Sequence, residues 1–469
     1  MVGWLDGCLY HPATQPSNHL IQMKDKILIV GAGLCGTLLA IRMAERGYQV
    51  VVREKRPDMR LEEIAAGRSI NLALSNRGLK ALRMAGMEEE IIKDCIPMYG
   101  RQIHPIHGDG WLSKYSGREG DYINSVSRGG LNISLLNKLE HYENVDLEFN
   151  CGCLSVDLEN AIGYFINNKG EKSEIKADII IGTDGAGSAV RRSMMARTPD
   201  LLFNYSQDFL RHGYKELSIP PSEDGDWRIE KNALHIWPRG GYMTIALPNL
   251  DGSFTVTVFH PYKGEAGFDT LNTPEKLFYF FEREYPDLIQ HIPDFIDEYN
   301  NNPTGTLGTI KCYPWQAFGK TLIMGDAAHA VVPFYGQGMN ASFEDVRVFD
   351  EILEQHAGNW EKVFSLFQDA RAENTNAIAD LAIDNFYEMR DHVDDEIFKE
   401  KRKLEMQLEH TFPDYFSKYS LVTFNENMPY SEAMKRGRKQ DELLKEICQR
   451  PSIGSLSLEQ IFNEIKSKV

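Results

Sequence analysis

Glycines near the start of the chain have the spacing of a dinucleotide-binding turn: Gly31, Gly33 and Gly36. The first permits a tight turn from strand to helix, the second lets the backbone approach a pyrophosphate, and the third permits close packing of helix on strand. The helix N-terminus adds partial positive charge. Glu54 follows Gly36 by 18 residues, where a carboxylate accepts hydrogen bonds from ribose hydroxyls and disfavours a 2′-phosphate. These residues predict a bound dinucleotide.

Two further turns place an acidic residue after an apolar run. Asp184 follows one run and leads into Gly185, and Asp326 follows another. A carboxylate at a strand end can bind a ribitol hydroxyl, and backbone N–H groups around Gly338 can lie against the pyrimidine edge of a flavin. A helix that begins near Asn340 can stabilise negative charge on a reduced flavin. Together with the first turn, these residues predict FAD rather than NAD.

The turns require parallel strands that alternate with helices. The apolar runs 26–30 and 49–53 flank helical spacing over residues 37–46, which forms a βαβ unit. β-Branched and aromatic residues within 212–261 predict sheet, and helical spacing dominates after residue 342. We therefore predict an α/β fold, with a Rossmann-like FAD-binding domain, an inserted β-sheet substrate domain and a C-terminal helical region.

The predicted domains are interleaved along the chain. We expect residues 1–22 to be a leader or an upstream extension, because Met23 lies just before the first strand. The FAD-binding domain is discontinuous, and the substrate domain is inserted into it. The predicted bounds are 23–97, 120–196 and 308–370 for the FAD-binding domain, 98–119 and 197–307 for the substrate sheet domain, and 371–469 for the helical region.

Composition and charge argue against several classes of protein. Lys and Arg total 51 against 68 Asp and Glu, and the net charge of −17 repels a phosphate backbone, so we expect no nucleic-acid partner. The 7 cysteines include no CxxC pair and no metal-ligand spacing, which predicts reduced thiols, no metal and a cytoplasmic location. No apolar run reaches the roughly 18 residues of a membrane span, so we expect no membrane partner.

The order of the three turns resembles that of the single-component flavoprotein aromatic hydroxylases, the para-hydroxybenzoate hydroxylase-like family. Within it, the chain resembles the kynurenine 3-monooxygenases from about residue 23 to beyond residue 440. Residues 430–469 are polar, unlike the membrane anchor of the eukaryotic members, so the resemblance is to the soluble bacterial type. The segments that carry it are RSINLALS (68–75), IPMYGR (96–101), HIWPR (235–239), IALPN (245–249), VPFYGQGMN (332–340) and YSLVTF (419–424).

The resemblance implies a hydroxylation performed on FAD. NADPH reduces the flavin, O2 gives a flavin C4a-hydroperoxide, and its distal oxygen is transferred to the ring carbon of L-kynurenine ortho to the amine. The product is 3-hydroxykynurenine, on the route of tryptophan catabolism toward quinolinate and NAD. The expected partners are L-kynurenine, NADPH and O2, although a second glycine fingerprint for NADPH is absent from the sequence.

The residues leave other functions open. A hydroxylase of another aromatic acid would keep all three flavin turns. A flavin-dependent halogenase or a reductase can share the fold, but the WxWxIP signature of the halogenases is absent and the 6 Trp are scattered. A non-catalytic binding protein on the same scaffold would have no chemical need for Glu54, Asp184 and Asp326, which favours an enzyme.

The resemblance also assigns a substrate clamp. Arg101 offers a bidentate fork to the substrate carboxylate, and Tyr115, Asn385 and Tyr419 complete the clamp. No side chain is assigned a catalytic role, because the oxidising chemistry belongs to the flavin.

Further positions carry over to the aromatic ring and to the cofactor. Pro333, Phe334 and Tyr335 are expected to flank the substrate ring and the flavin, and Gln337 is expected to orient the substrate carbonyl or amine. The positions expected to bind FAD are Gly31, Gly33, Cys35, Gly36, Arg53, Glu54, Lys55, Arg56, Ala73, Arg128, Cys153, Asp184, Asp326, Gly338, Met339 and Asn340.

Overall fold

The structure of the chain is a computed structural model that describes residues 24–61, 71–392 and 396–469. The predicted leader, and residues 68–70 of one segment that carries the resemblance, lie outside the described residues. The first described part begins with the predicted βαβ unit. Its elements are β1 (Lys26–Val30), α1 (Leu34–Glu45), β2 (Gln49–Arg53), β3 (Asn71–Leu74), α2 (Asn76–Met84) and α3 (Glu88–Lys93).

The middle of the chain is mostly sheet. Residues 95–182 form β4 (Cys95–Met98), β5 (Gly100–Ile103), β6 (Trp111–Lys114), β7 (Ile123–Ser127), α4 (Arg128–Leu139), β8 (Val145–Glu148), β9 (Cys151–Asp157), β10 (Ile162–Asn167), β11 (Lys172–Lys176) and β12 (Ile179–Gly182). Residues 189–313 form α5 (Ala189–Met195), α6 (Thr198–Leu201), β13 (Asn204–Ile219), β14 (Leu234–Pro238), β15 (Met243–Pro248), β16 (Phe254–Pro261), α7 (Pro274–Glu284), α8 (Pro286–Ile289), α9 (Phe295–Asn301) and β17 (Gly305–Tyr313).

The last third is mostly helical. It begins with β18 (Gln316–Ala317), β19 (Thr321–Ile323), α10 (Asp326–His329), a 3-10 turn (Pro333–Tyr335) and α11 (Gly338–Gln355). It continues with α12 (Trp360–Tyr387), a π-helical segment (Glu388–His392), α13 (Glu396–Thr411), α14 (Lys418–Thr423), α15 (Tyr430–Cys448), a 3-10 turn (Ile453–Ser455) and α16 (Leu458–Lys468).

The sheet that carries the glycine turns has the strand order β18-β19-β12-β1-β2-β8. β1 runs parallel to both neighbours, with Val30 opposite Gly182 of β12 and Arg53 of β2. The carboxyl ends of these strands therefore share one edge, where ligands bind in open α/β sheets. β1 is apolar and buried after Lys26, as a parallel strand covered on both faces requires.

Helix α1 lies between this sheet and α11. Its Leu38 and Ile41 are fully buried in the core beneath the sheet. Arg42 and Arg46 pair with Asp350 of α11, at 3.0 and 2.5 Å. Helix α1 is thereby held to the sheet by apolar packing and to α11 by ion pairs.

A second large sheet has the strand order β17-β13-β16-β15-β14-β5-β6. β5 joins it by parallel pairing with β14, which places Arg101 opposite Leu234. The predicted division into domains stays a prediction. Its boundary between residues 307 and 308 falls inside β17, and its boundary between residues 370 and 371 falls inside α12.

Helices close the remaining surfaces. One face of the second sheet packs against α7, α8 and α9 through a core that includes Trp237, Phe281 and Phe295. Helices α13, α15 and α16 share a separate apolar core around Leu408 and Leu444. Among the described residues, no helix combines the length and the apolar character needed to cross a membrane.

His260 of β16 is fully buried under α7. Its ring nitrogens lie 3.0 Å from the carbonyl oxygen of Ala266 and 3.0 Å from the hydroxyl oxygen of Tyr285. The carbonyl can only accept, so Nδ1 donates to it and Nε2 accepts from the hydroxyl. Burial lowers the pKa of His260 to about 3, so the ring stays neutral in the folded chain.

We predict that His260 makes the free energy of unfolding decrease as the pH falls from about 6.5 toward 4. The unfolded chain binds a proton there that the folded chain does not, which costs on the order of 1.4 kcal/mol per pH unit. Urea unfolding between pH 5 and pH 7 measures the slope. His260→Gln keeps a donor and an acceptor but does not titrate, so its slope is expected to be shallower; an identical slope would contradict the prediction.

Candidate functional site

A cavity of about 680 Å³, here called the main cavity, extends from the edge of the first sheet to the second sheet. It begins at the glycine turn after β1 and reaches Tyr419 of α14. Its lining includes residues that the sequence predicted for both cofactor and substrate. These are Gly31, Gly33, Cys35, Arg53, Glu54, Lys55, Arg56, Ala73, Arg101, Tyr115, Arg128, Cys153, Asp184, Asp326, Pro333, Phe334, Tyr335, Gly338, Met339 and Tyr419.

The three glycines of the first turn have different surroundings. Gly31 has φ +102°, and an added Cβ would lie 2.8 Å from the carbonyl oxygen of Thr183. At Gly36 an added Cβ would overlap the carbonyl oxygen of Gly31, so this glycine allows helix packing and lies outside the cavity lining. At Gly33 the nearest atom is a guanidinium nitrogen of Arg56 at 3.9 Å, which leaves room for a ligand beside the backbone.

Glu54 stands just after β2, beside the glycine turn. Its carboxylate accepts hydrogen bonds from the N–H of Ala32 at 2.8 Å, and from the N–H and Nε of Arg56 at 3.0 and 2.8 Å. Burial raises the pKa of Glu54, but the Arg56 guanidinium and these N–H donors outweigh burial and hold the pKa below its usual range. An ionised carboxylate that lines the cavity can accept hydrogen bonds from ribose hydroxyls.

Basic residues line the same end of the cavity. The Arg53 guanidinium is committed within the protein, at 2.8 Å from Asp146 and 3.0 Å from Glu148. Lys55 and Arg128 also line the cavity, and Arg128 is the first residue of α4. A helix N-terminus beside a guanidinium suits a phosphate group.

The turn after β12 holds a buried acceptor oxygen. Asp184 Oδ2 accepts from the N–H of Ala189 at 2.6 Å, whereas Oδ1 is buried without a hydrogen-bond partner among the described residues. Burial raises the pKa of Asp184, although donors from Ser188 and Ala189 oppose the rise. A Cβ at Gly185 or Gly187 would meet no atom within 4 Å. The orphaned oxygen and the open backbone fit a hydroxyl-rich, phosphate-bearing cofactor such as FAD.

The turn after β19 is held from behind by a buried carboxylate. Asp345 of α11 accepts from the N–H of Gly325 at 3.0 Å and lies 2.5 Å from His329 Nε2. Gly325 has φ +60°, and an added Cβ would lie 3.0 Å from Cys35 Sγ. This close approach brings the start of α1 against the turn that presents Asp326 to the cavity.

At the far end of the cavity, tyrosine rings surround Arg101. The Tyr419 ring stacks on Tyr115 at 5.4 Å and on Tyr335 at 5.3 Å between centroids. The guanidinium carbon of Arg101 lies 4.8 Å from the Tyr419 centroid, and its Nε is buried without a hydrogen-bond partner among the described residues. Burial raises the pKa of all three phenols, so they are protonated donors at neutral pH. A desolvated guanidinium among phenol donors suits a carboxylate.

The structure places Asn385 and Gln337 behind the cavity wall rather than in it. Asn385 Nδ2 donates to the carbonyl oxygen of Phe334 at 2.6 Å. Gln337 Oε1 accepts from the hydroxyl of Tyr430 at 2.9 Å. Neither side chain lines the main cavity. Asn385 holds the 3-10 turn Pro333–Tyr335, which does line it, whereas Gln337 is fixed to Tyr430 of α15.

Asn340 is also committed within the protein. Its Oδ1 accepts from the N–H of Ser75 at 3.0 Å, and its Nδ2 donates to the carbonyl oxygens of Ala73 and Gly336, both at 2.8 Å. The side chain is fully buried and lies outside the cavity lining. It therefore fastens the end of β3 to the start of α11, and the cavity wall at Ala73 depends on it.

The second sheet forms a part of the cavity wall that was not predicted from the sequence. Residues two apart on a strand share a face, so the alternation along β15 and β16 is a signal that could have grouped them. The packing of the two sheets decides which face lines the cavity. The lining residues from this sheet include Leu234, Ile245, Leu247, Thr257 and Phe259. Met389 of the π-helical segment also lines the cavity.

Similarity to known proteins covers both ends of the main cavity. The FAD binding domain family matches residues 24–200 and 303–361. The kynurenine 3-monooxygenase of Myxococcus xanthus (strain DK1622) is 44% identical over 449 residues, which cover 95% of this chain and 96% of that protein. The kynurenine 3-monooxygenase of Dictyostelium discoideum is 43% identical over 440 residues, which cover 91% and 94%.

Solved structures share the fold at lower identity. A tetrameric 2-methyl-3-hydroxypyridine-5-carboxylic acid oxygenase has TM-score 0.63 and 19% identity, covering 85% of this chain and 96% of its own. The p-nitrophenol 4-monooxygenase of Pseudomonas putida DLL-E4 has TM-score 0.63 and 16% identity, covering 82% and 93%. The predicted fold class is confirmed. By its identity to these relatives over nearly its whole length, the chain belongs to the kynurenine 3-monooxygenase family of FAD-dependent monooxygenases.

Proposed function

We propose that this enzyme hydroxylates L-kynurenine to 3-hydroxykynurenine with FAD, NADPH and O2. The observation that carries the proposal is the continuous cavity that joins the Gly31 turn to Arg101 and its tyrosines. A flavin bound at the first end would lie next to an aromatic amino acid bound at the second. The relatives named kynurenine 3-monooxygenase support this substrate over another aromatic acid, and over halogenase or reductase chemistry.

The edge of the first sheet is the part of the cavity that we assign to FAD. Glu54 would bind the adenosine ribose, and Asp326 would bind the ribityl chain. Arg128 and the N-terminus of α4 would bind the pyrophosphate. The N-terminus of α11 at Gly338 would stabilise negative charge on the ring system. When bound and reduced by NADPH, FAD supplies the activated oxygen for hydroxylation of the aromatic ring.

Arg101 is placed to bind the substrate carboxylate. Its guanidinium is desolvated between rings, which strengthens a bidentate pair with an anion. The protonated hydroxyls of Tyr115 and Tyr419 can donate to the same carboxylate. Asn385 then acts indirectly, since it fixes the carbonyl of Phe334.

Apolar walls surround the place where the substrate ring would lie. The Phe334 ring lies 4.9 Å from Phe259 and 4.3 Å from Phe386 between centroids. Ile245 and Leu247 line the cavity from β15. These side chains exclude water, which protects the activated oxygen and favours its transfer to the ring.

The cytoplasm is the compartment that we propose for this reaction. The described cysteines are free thiols, which supports a reducing environment. Cys153 lines the cavity, and burial raises its pKa to about 12, so it is a neutral packing group there.

The first test is turnover. The purified chain is expected to be yellow, and L-kynurenine is expected to accelerate its oxidation of NADPH with formation of 3-hydroxykynurenine. Flavin absorbance, NADPH consumption and chromatography of the products measure this. Hydrogen peroxide as the sole product would contradict the substrate and leave FAD binding intact, whereas a colourless protein that binds no FAD would contradict both.

Glu54→Gln is expected to weaken FAD binding about tenfold, because a neutral amide replaces a charge-assisted acceptor worth roughly 1.5–3 kcal/mol. Titration of apoprotein with FAD, followed by flavin fluorescence, gives Kd. Glu171→Gln, in the exposed hairpin between β10 and β11, is the matched control and is expected to keep the wild-type Kd. The same Kd for both variants would remove Glu54 from the cofactor site.

Arg101→Ala is expected to raise KM for L-kynurenine at least about tenfold, through loss of a charged pair worth roughly 1.5–3 kcal/mol. Kd for FAD is expected to be unchanged. Steady-state kinetics are compared with those of Arg283→Ala, which removes an exposed arginine of α7. If KM does not change in the first variant, Arg101 is not part of the clamp.

A further inference from the structure

A cluster of buried and half-buried charges lies behind the tyrosine stack, where α13, α14 and α15 meet the π-helical segment. A small cavity of about 50 Å³ lies between this cluster and the residues Arg101, Tyr115 and Tyr419. Acids and bases are balanced within the cluster, so mutual attraction offsets the cost of burying them. The members of this cluster, here called the Asp441 cluster, are Glu388, Lys401, Arg402, Glu405, Lys418 and Asp441.

Asp441 of α15 is the centre of the cluster. Its Oδ1 accepts from Lys401 at 3.0 Å and its Oδ2 from Lys418 at 2.5 Å. Burial raises the pKa of Asp441, but the two ammonium groups outweigh burial and hold the pKa at about 2. The carboxylate is therefore ionised at neutral pH, and its removal would leave both lysines with only their more distant partners.

One arm of the cluster reaches Tyr115. Lys401 Nζ lies 3.3 Å from Glu405, whose other oxygen accepts from Arg402 at 3.0 Å. Arg402 also donates to the carbonyl oxygens of Lys114 and Tyr115, both at 2.7 Å. The backbone of Tyr115 is thus fixed by a side chain of α13.

A second arm reaches Tyr419. Lys418 directly precedes it on α14 and pairs with Glu388 at 3.3 Å as well as with Asp441. Gly437 of α15 permits this approach, because an added Cβ would lie 2.6 Å from Lys418 Cγ and 3.1 Å from its Cα. Gly437 and Asp441 are one helical turn apart on α15. The close contact of Gly437 and the ion pair of Asp441 therefore both involve Lys418 of α14.

We propose that Asp441 is a positioning residue that holds Tyr115 and Tyr419 against Arg101 through these two arms. The inference rests on the proposed function, which assigns Arg101 and the tyrosines to the substrate. Asp441 borders the small cavity but lies outside the lining of the main cavity, so it acts on substrate only through its neighbours. Buried ion pairs add little net stability compared with apolar packing, which favours a role in fixing one arrangement.

Asp441→Asn is expected to raise KM for L-kynurenine about tenfold, with kcat within about twofold of wild type and Kd for FAD unchanged. Asp350→Asn is the matched control. Asp350 is also buried and also bridges two cations, Arg42 and Arg46, but lines neither cavity. Its variant is expected to lower Tm while keeping the wild-type KM. A wild-type KM for Asp441→Asn, or the same KM rise in both variants, overturns the proposal.

Gly437→Ala tests the same arm without removing a charge. Alanine is favoured over glycine inside a helix, so a rise in KM would come from displacement of Lys418 rather than from a weaker helix. KM is expected to rise about threefold or more with unchanged FAD affinity. If Asp441→Asn does not fold, Gly437→Ala provides the test in its place. A wild-type KM for Gly437→Ala then overturns the proposal.

Wild-type turnover separates this inference from the function on which it rests. If the wild type hydroxylates a different aromatic acid, the proposed function fails, and the ratio of variant to wild-type KM is measured with that acid instead. A raised ratio for Asp441→Asn and a ratio near one for Asp350→Asn then still support positioning by Asp441. Equal ratios overturn it.

Discussion

The parallel pairing of β1 with its two neighbours is the constraint on which the cofactor site depends. Val30 lies opposite Gly182 on one side and Arg53 on the other, so turns distant in the sequence leave the sheet at one edge. Glu54 and Asp184 follow directly from this register, and β19 adds its own acidic turn by pairing with β12. A shift of one residue would exchange the two faces of a strand and turn its carboxylate away from the cavity.

Buried carboxylates then fix what the sheets present to the cavity. Asp345 accepts from the N–H of Gly325 and pairs with Arg371 at 2.7 Å, although it does not line the cavity. Asp441 stands in the same relation to the tyrosine stack. Removing one partner of such a pair leaves a buried charge uncompensated, at a cost of about 3–5 kcal/mol, so these contacts are kept or lost as a unit.

Local signals predicted the cofactor end of the site better than the substrate end. The bounds of β1 and β2 match the predicted runs, because apolar segments between turn residues are set by near neighbours. The glycine spacing at Gly31 and Gly36 is likewise a local signal, although an added Cβ at either position would also meet Thr183 of the neighbouring turn. Arg101 lies on β5, and the pairing of β5 with β14 brings it to the cavity. β5 and β14 are more than 100 residues apart in the sequence, and no local pattern indicates that they pair. Arg101 was therefore predicted from the family resemblance alone.

Three buried amides of the predicted site form hydrogen bonds within the protein. Asn340, Asn385 and Gln337 were predicted to bind ligands, and in the structure each forms hydrogen bonds with other residues. An unpaired buried amide costs about 1–3 kcal/mol, so an amide within reach of a backbone or hydroxyl partner takes it. Asn385 fixes the turn Pro333–Tyr335, whereas Asn340 holds Ala73 and Gly336 and Gln337 holds Tyr430. In the proposed complex the shape of the cavity wall would orient the substrate ring, and Arg101 with the surrounding tyrosines would bind its carboxylate.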